Sequence, residues 1–156
     1  MHETSKKRIL FCLLLPLLTG ALSALLTKSG MDRFDALTQP AWALPRWAFP
    51  VVWTILYILM GFSAVIVLRS GRPGRREALT LFFAQLFVNF WWSILFFAWE
   101  LRLIAFFWLL LLVVLSAAMV VSFRRIDRRA ALMNLPYLLW LVLAACLNLS
   151  VWRLNK

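Results

Sequence analysis

The sequence predicts an all-α integral membrane protein, a bundle of five transmembrane helices in a single domain spanning residues 1–156. Three observations carry that prediction: the composition, the placement of the charges, and the absence of strand-like alternation. Of the 156 residues, 64% are apolar, against roughly 45–50% in an average soluble domain, and the mean hydropathy is +0.87. A water-soluble globule of this length keeps too much surface in solvent to hide such an excess. Disorder, collagen, a disulfide framework and a soluble α/β enzyme are excluded on the same ground.

All of the Lys, Arg, Asp and Glu residues lie outside five uncharged runs, residues 9–27, 47–68, 78–99, 103–123 and 130–152. These contain 19, 22, 22, 21 and 23 residues, and roughly 20 residues of helix cross a ~30 Å hydrocarbon layer. A β-barrel would need short segments of alternating hydrophobicity, whereas the stretch from Trp108 to Val121 is apolar on every side.

The first run follows Lys6, Lys7 and Arg8, and Ala21-Leu22-Ser23 would serve as a signal cleavage site. Its length, with Gly20 and Ala24 at small-xxx-small spacing, favours a retained span packed closely on another helix. The loop after it, residues 28–46, holds alternating charges, Gly30, Pro40 and Pro45, and predicts an ordered excursion at the membrane surface. The second run carries Phe49, Trp53 and Tyr57 at spacings of four, and ends in a turn with Gly71, Pro73 and Gly74. On the third, Gln85, Asn89, Trp92 and Phe96 fall on one helical stripe. Two amides in hydrocarbon cost a few kcal/mol each unless partnered, so this stripe faces the bundle interior. The turn near Glu100 is so short that the third and fourth helices are antiparallel neighbours. The fourth run, with Trp108 and Ser116, reads as packing and lipid-facing surface. The fifth has Tyr137, Trp140, Ala144 and Asn148 on a further inward stripe. Cys12 and Cys146 lie inside apolar runs and read as small buried hydrophobes.

The net charge of +11 is a topology signal rather than a nucleic-acid footprint. With five spans, Lys6, Lys7, Arg8 and the Arg clusters of the second and fourth loops share one side, which holds 11 of the 17 basic residues. The positive-inside rule puts that side, and the N-terminus, in the cytoplasm. No ionisable acid, base or His lies within a span, so an ion-coupled path has no group to run through. There is no catalytic triad, carboxylate pair or phosphate-cradling loop, the single His2 is N-terminal, and no cofactor or metal site is implied. Trp47, Trp99 and Trp152 sit at span ends as interface anchors. Trp53, Trp92 and Trp140 lie deeper, where core packing and ligand contact are equally open.

The segment Phe34-Asp35-Ala36-Leu37, Gln39-Pro40-Ala41-Trp42, Pro45-Arg46-Trp47, Pro50, Trp53-Thr54, Tyr57 and Met60-Gly61 resembles the first loop and second helix of the tryptophan-rich sensory protein and translocator protein family (TspO/MBR). So do Gln85-Leu86, Asn89, Trp92 and Phe96-Phe97, then Pro136-Tyr137-Leu138-Leu139-Trp140, Leu147-Asn148 and Val151-Trp152-Arg153-Leu154-Asn155. The resemblance implies a bacterial member in the cell membrane, usually dimeric, that binds porphyrins such as protoporphyrin IX as a sensor or transporter. It implies a pocket under the first loop among helices one, two, three and five, with Trp53, Asn89, Trp140 and Ala144 at pocket positions.

Some bacterial relatives degrade protoporphyrin in light, which makes Trp53 and Trp140 the catalytic candidates of an enzymatic alternative; a structural or partner-binding role is a third class. Phe34 replaces a Tyr of the pocket lid, and Leu44-Pro45 stands in place of a Pro-Pro. Leu149 replaces the Tyr of the family's cholesterol motif, so sterol binding is not expected. A porphyrin would stack on Trp53 and Trp140, with Trp92 and the first-loop Trp42 beside it and hydrogen bonds from Asn89 and Tyr57. Its propionates would rest near the interface at Arg46 or Arg33.

Overall fold

The computed structural model describes residues 5–156, so His2 lies outside the described residues. Five long helices make up the chain: α1 (Lys6–Asp35), α2 (Ala48–Arg69), α3 (Arg75–Ser93), α4 (Arg102–Ile126) and α5 (Arg128–Leu154). A π-helical turn, Ile94–Ala98, prolongs α3. All five are long and apolar enough to span a bilayer, and the described residues contain no strand. The chain is an integral membrane protein.

Helices α1, α4 and α5 overrun their uncharged runs at both ends, because the flanking Lys and Arg residues are good helix formers. The difference is largest in α1, which continues through Asp35, so only residues 36–46 of the expected excursion are loop. Pro40 and Pro45 hold that remainder out of helix. At the opposite face, Gly71 (φ 65°) and Gly74 (φ 81°) take left-handed conformations in the turn before α3. Asp127 caps α5, its carboxylate accepting from the amide of Arg129 at 2.7 Å.

The helices close into a ring in the order α1, α2, α5, α4, α3, with α3 and its π turn returning to α1. The inward side is held by polar groups that have no other partner in hydrocarbon. The Tyr57 hydroxyl donates to Asn89 Oδ1 at 3.4 Å, Asn89 Nδ2 donates to the Tyr137 hydroxyl at 3.0 Å, and that hydroxyl donates to Gln85 Oε1 at 2.7 Å. Gln85, Asn89 and Tyr137 are fully buried. This chain of bonds joins α2, α3 and α5. Nearer the end of the bundle that carries Gly71 and Gly74, Asn134 Nδ2 donates to Ser63 Oγ at 2.7 Å, a second tie between α5 and α2. Trp108, whose purpose its sequence position does not reveal, donates its indole N–H to the Val88 carbonyl at 2.8 Å and fastens α4 to α3.

Two glycines of α1 set its closest approaches. A Cβ on Gly20 would stand 2.3 Å from Cε2 of Tyr57, and one on Gly30 would stand 2.0 Å from the Phe97 carbonyl oxygen. Gly20 of the expected Gly20-xxx-Ala24 pair therefore packs against α2, whereas Ala24 is exposed and lines a cavity. Cys12 is buried as expected, whereas Cys146 is exposed on the outer face of α5, because its neighbours Ala145 and Leu147 occupy the inward side of that turn.

Two stability outcomes follow. Gly30→Ala forces a methyl into a backbone carbonyl and lowers stability by about 1–3 kcal/mol in mixed-micelle denaturation, whereas Ser29→Ala, at an exposed position, leaves the midpoint in place. Tyr137→Phe strands both an amide N–H and an amide carbonyl and costs about 1–2 kcal/mol; Tyr57→Phe, which breaks only the longer 3.4 Å bond, costs less in the same titration.

Candidate ligand-binding site

A cavity of about 920 Å³ opens at the end of the bundle that carries the first loop. Its walls come from α1, α2, α3 with its π turn, and α5, while α4 contributes none of the lining. Trp53 is the hub. Its ring stacks on Tyr57 at 5.3 Å between centroids, and it meets Trp92 at 6.2 Å, Tyr137 at 6.2 Å and Trp140 edge-on at 6.3 Å. Phe49 also meets Trp140 edge-to-face at 5.9 Å. Of these contacts only Trp53–Tyr57 is stacked; the others are tilted or edge-on.

Of the residues singled out in the sequence, Phe34, Trp42, Arg46, Trp53, Tyr57, Trp92, Trp140 and Ala144 all line the cavity. Asn89 does not. It sits behind Tyr57, with both ends of its amide used by the hydroxyls of Tyr57 and Tyr137, so its expected hydrogen bond to a ligand gives way to one that orients the aromatic floor. Trp92 is set in turn by α5, its indole N–H reaching Asn148 Oδ1 at 3.3 Å while Asn148 Nδ2 donates to the Arg102 carbonyl at 2.8 Å. Trp47, placed by its span-end position at the interface, is 69% exposed and also borders the cavity mouth.

The α1 wall was not legible from aromatic stripes. Gly20, Ser23, Thr27, Met31 and Phe34 line the cavity from one helical face, and the signal for it is their recurrence every three or four residues. The π turn brings consecutive Phe96 and Phe97 to the lining, a register that ordinary helical periodicity does not anticipate.

The polar character of the wall is one-sided. The hydroxyls of Ser23, Thr27 and Thr54 donate to carbonyls of their own helices at 2.7–3.0 Å, which leaves their oxygens as acceptors. The indole N–H of Trp140 is buried and has no partner among the described residues. No cluster of His, Cys, Asp or Glu able to hold a metal occurs among the described residues.

The first loop is strapped across the mouth. Arg46 is ion-paired with Asp35 and, at 2.8 Å, with Asp32. The hydrogen bond from Asp32 and the charge of Asp35 raise the Arg46 pKa above its ordinary value. Arg33, the other expected anchor for ligand carboxylates, is ion-paired with Glu100 and lies off the cavity lining. The loop is also tied to the end of α5, where Asn155 accepts from the Thr38 amide at 3.0 Å and donates to its carbonyl at 2.9 Å. Both arginines thus already face carboxylates, and a ligand acid at the mouth shares Arg46 with Asp32 and Asp35 or takes the place of one of them.

The arrangement is suited to enclosing a flat, largely apolar molecule by stacking, with few hydrogen bonds and any charge kept at the rim. The sequence pattern that defines the TspO/MBR family matches residues 12–153. Protein CrtK of Rhodobacter capsulatus is 41% identical over 125 residues, covering 78% of each chain. The tryptophan-rich protein TspO of Chlorobaculum tepidum is 35% identical over 124 residues, again 78% of each. The human translocator protein is 33% identical over 129 residues, covering 81% of this chain and 76% of its own. A pattern matched over nearly the whole chain and relatives from bacteria to mammals agree on one assignment: this chain belongs to the TspO/MBR family.

Proposed function

We propose that the cavity binds a tetrapyrrole such as protoporphyrin IX and that the protein acts as a sensor or transporter of that ligand. The observation that supports this most is the Trp53 hub, four aromatic rings gathered around one indole inside a cavity of about 920 Å³. That volume lies near the top of the roughly 300–1,000 Å³ range of small-molecule sites, as a macrocycle needs. The macrocycle lies face-on to Trp53 and edge-on to Trp140, whose rings stand at 89° to each other. Its propionates stay at the mouth and take the place of Asp32 or Asp35 on Arg46, an exchange of carboxylate for carboxylate that leaves no new buried charge.

The same reading places the protein in a bacterial cell membrane with the N-terminus in the cytoplasm, on the side that holds most of the basic residues, and pairs two copies within the bilayer. Sterols are not part of it, given Leu149.

Quenching of tryptophan fluorescence by protoporphyrin IX in detergent tests the proposal. Trp53→Ala weakens binding about tenfold by removing the stacking surface. Arg46→Ala weakens binding of the free acid about tenfold and that of the dimethyl ester hardly at all, because only the acid has a carboxylate for the guanidinium. Wild-type titration curves from both variants would remove the ligand from this cavity.

A further inference from the structure

A second recess, of about 370 Å³, lies outside the aromatic cavity where α4 begins and α5 ends. We propose that it binds the phosphate of an anionic membrane lipid. The central group is Arg102. Its side chain is only 18% exposed, and Nη2 bonds Glu100 at 3.2 Å. Its Nε, however, is buried with no partner among the described residues. A guanidinium N–H shielded from water and left without an acceptor is costly, and a phosphate oxygen that draws the guanidinium into the recess removes that cost.

The surroundings select for an anion. Lys156 Nζ lies over the Trp152 ring, 4.4 Å from its centroid, and Trp152 lines the recess. Glu100 is the carboxylate on its rim, but it is already shared between Arg33 and Arg102, so the local balance stays positive. Asn155 also lines the recess, with its amide engaged by Thr38 and Val151. Leu101, at the N-cap of α4, supplies no side-chain acceptor, and the first-turn residues Leu103 and Ile104 border the recess. The start of α4 therefore adds its positive end to the two cations.

The position favours a lipid over free phosphate. Arg102 stands immediately before the uncharged run of α4, at the depth of headgroups. Leu101, Leu103 and Ile104 are 42%, 38% and 54% exposed beside it, an apolar path for an acyl chain. Trp152 and Lys156 give the aromatic and basic pair that holds at an interface.

Native mass spectrometry of the full chain with phosphatidylglycerol added in detergent tests this. Wild type retains a bound lipid, and Arg102→Gln lowers its occupancy about tenfold, the loss of one charge-assisted contact. Arg153→Gln makes the same change in net charge at an exposed position outside the recess, and keeps occupancy within about twofold. Inorganic phosphate in large excess does not strip the lipid. Should Arg102→Gln fail to fold, Trp152→Leu with Lys156→Gln lowers occupancy about threefold. Equal losses in Arg102→Gln and Arg153→Gln, unchanged occupancy in the recess variants, or displacement of the lipid by free phosphate would each overturn the proposal.

Discussion

An amide in hydrocarbon has no water to turn to, and the bundle is organised around that constraint. Gln85 and Asn89 of α3 are satisfied by groups reached across the ring, the hydroxyls of Tyr57 and Tyr137 and, for Gln85 Nε2, the Met60 sulfur. Meeting the requirement fixes how α2, α3 and α5 are rotated about their own axes. The rotation has a consequence one turn away, where Trp53 precedes Tyr57 by four residues, Trp92 follows Asn89 by three, and Trp140 follows Tyr137 by three. Each indole is thereby carried onto the same side as its polar neighbour and delivered to the cavity. The polar chain forms the base and the tryptophans stand on it.

The far end of the cavity is governed by electrostatics in a wetter environment. Carboxylates of the last turns of α1 hold Arg46, the turn after the π helix holds Arg33 through Glu100, and the end of α5 holds Thr38. Glu100 adopts a left-handed backbone conformation (φ 57°), which costs a non-glycine residue about 1 kcal/mol, and it is the residue that meets two arginines. The mouth is thus bordered by contacts that exchange readily with solvent and with ligand acids, above a floor that cannot exchange at all.

Much of this architecture was legible in the sequence because hydrocarbon imposes simple rules. Uncharged runs near twenty residues mark the spans, and an amide such as Gln85 has to face inward wherever it lies. Stripes built on Trp53, Trp92 and Trp140 led to the cavity for the same reason. What was not legible depends on partners that only the fold brings together. Asn89 had to face inward, but nothing local says that Tyr57 and Tyr137 both claim it. Arg46 was a candidate for ligand acids because its pairing with Asp32 and Asp35 requires α1 to stay helical beyond Thr27. The π turn that delivers Phe97, the outward face of Cys146 and the unpartnered Nε of Arg102 likewise arise from register and packing, which a hydrophobicity pattern does not encode.

The central claim is that the polar base holds the tryptophans as a ready-made surface for a flat ligand. A crystal structure of the protein with protoporphyrin IX tests it most directly. The macrocycle is expected against Trp53 and Trp140, with Asn89 still bonded to both tyrosine hydroxyls and the propionates at Arg46. A macrocycle bound on the outer faces of the helices, or one that reaches the cavity only by breaking the Tyr57–Asn89–Tyr137 chain, would contradict it.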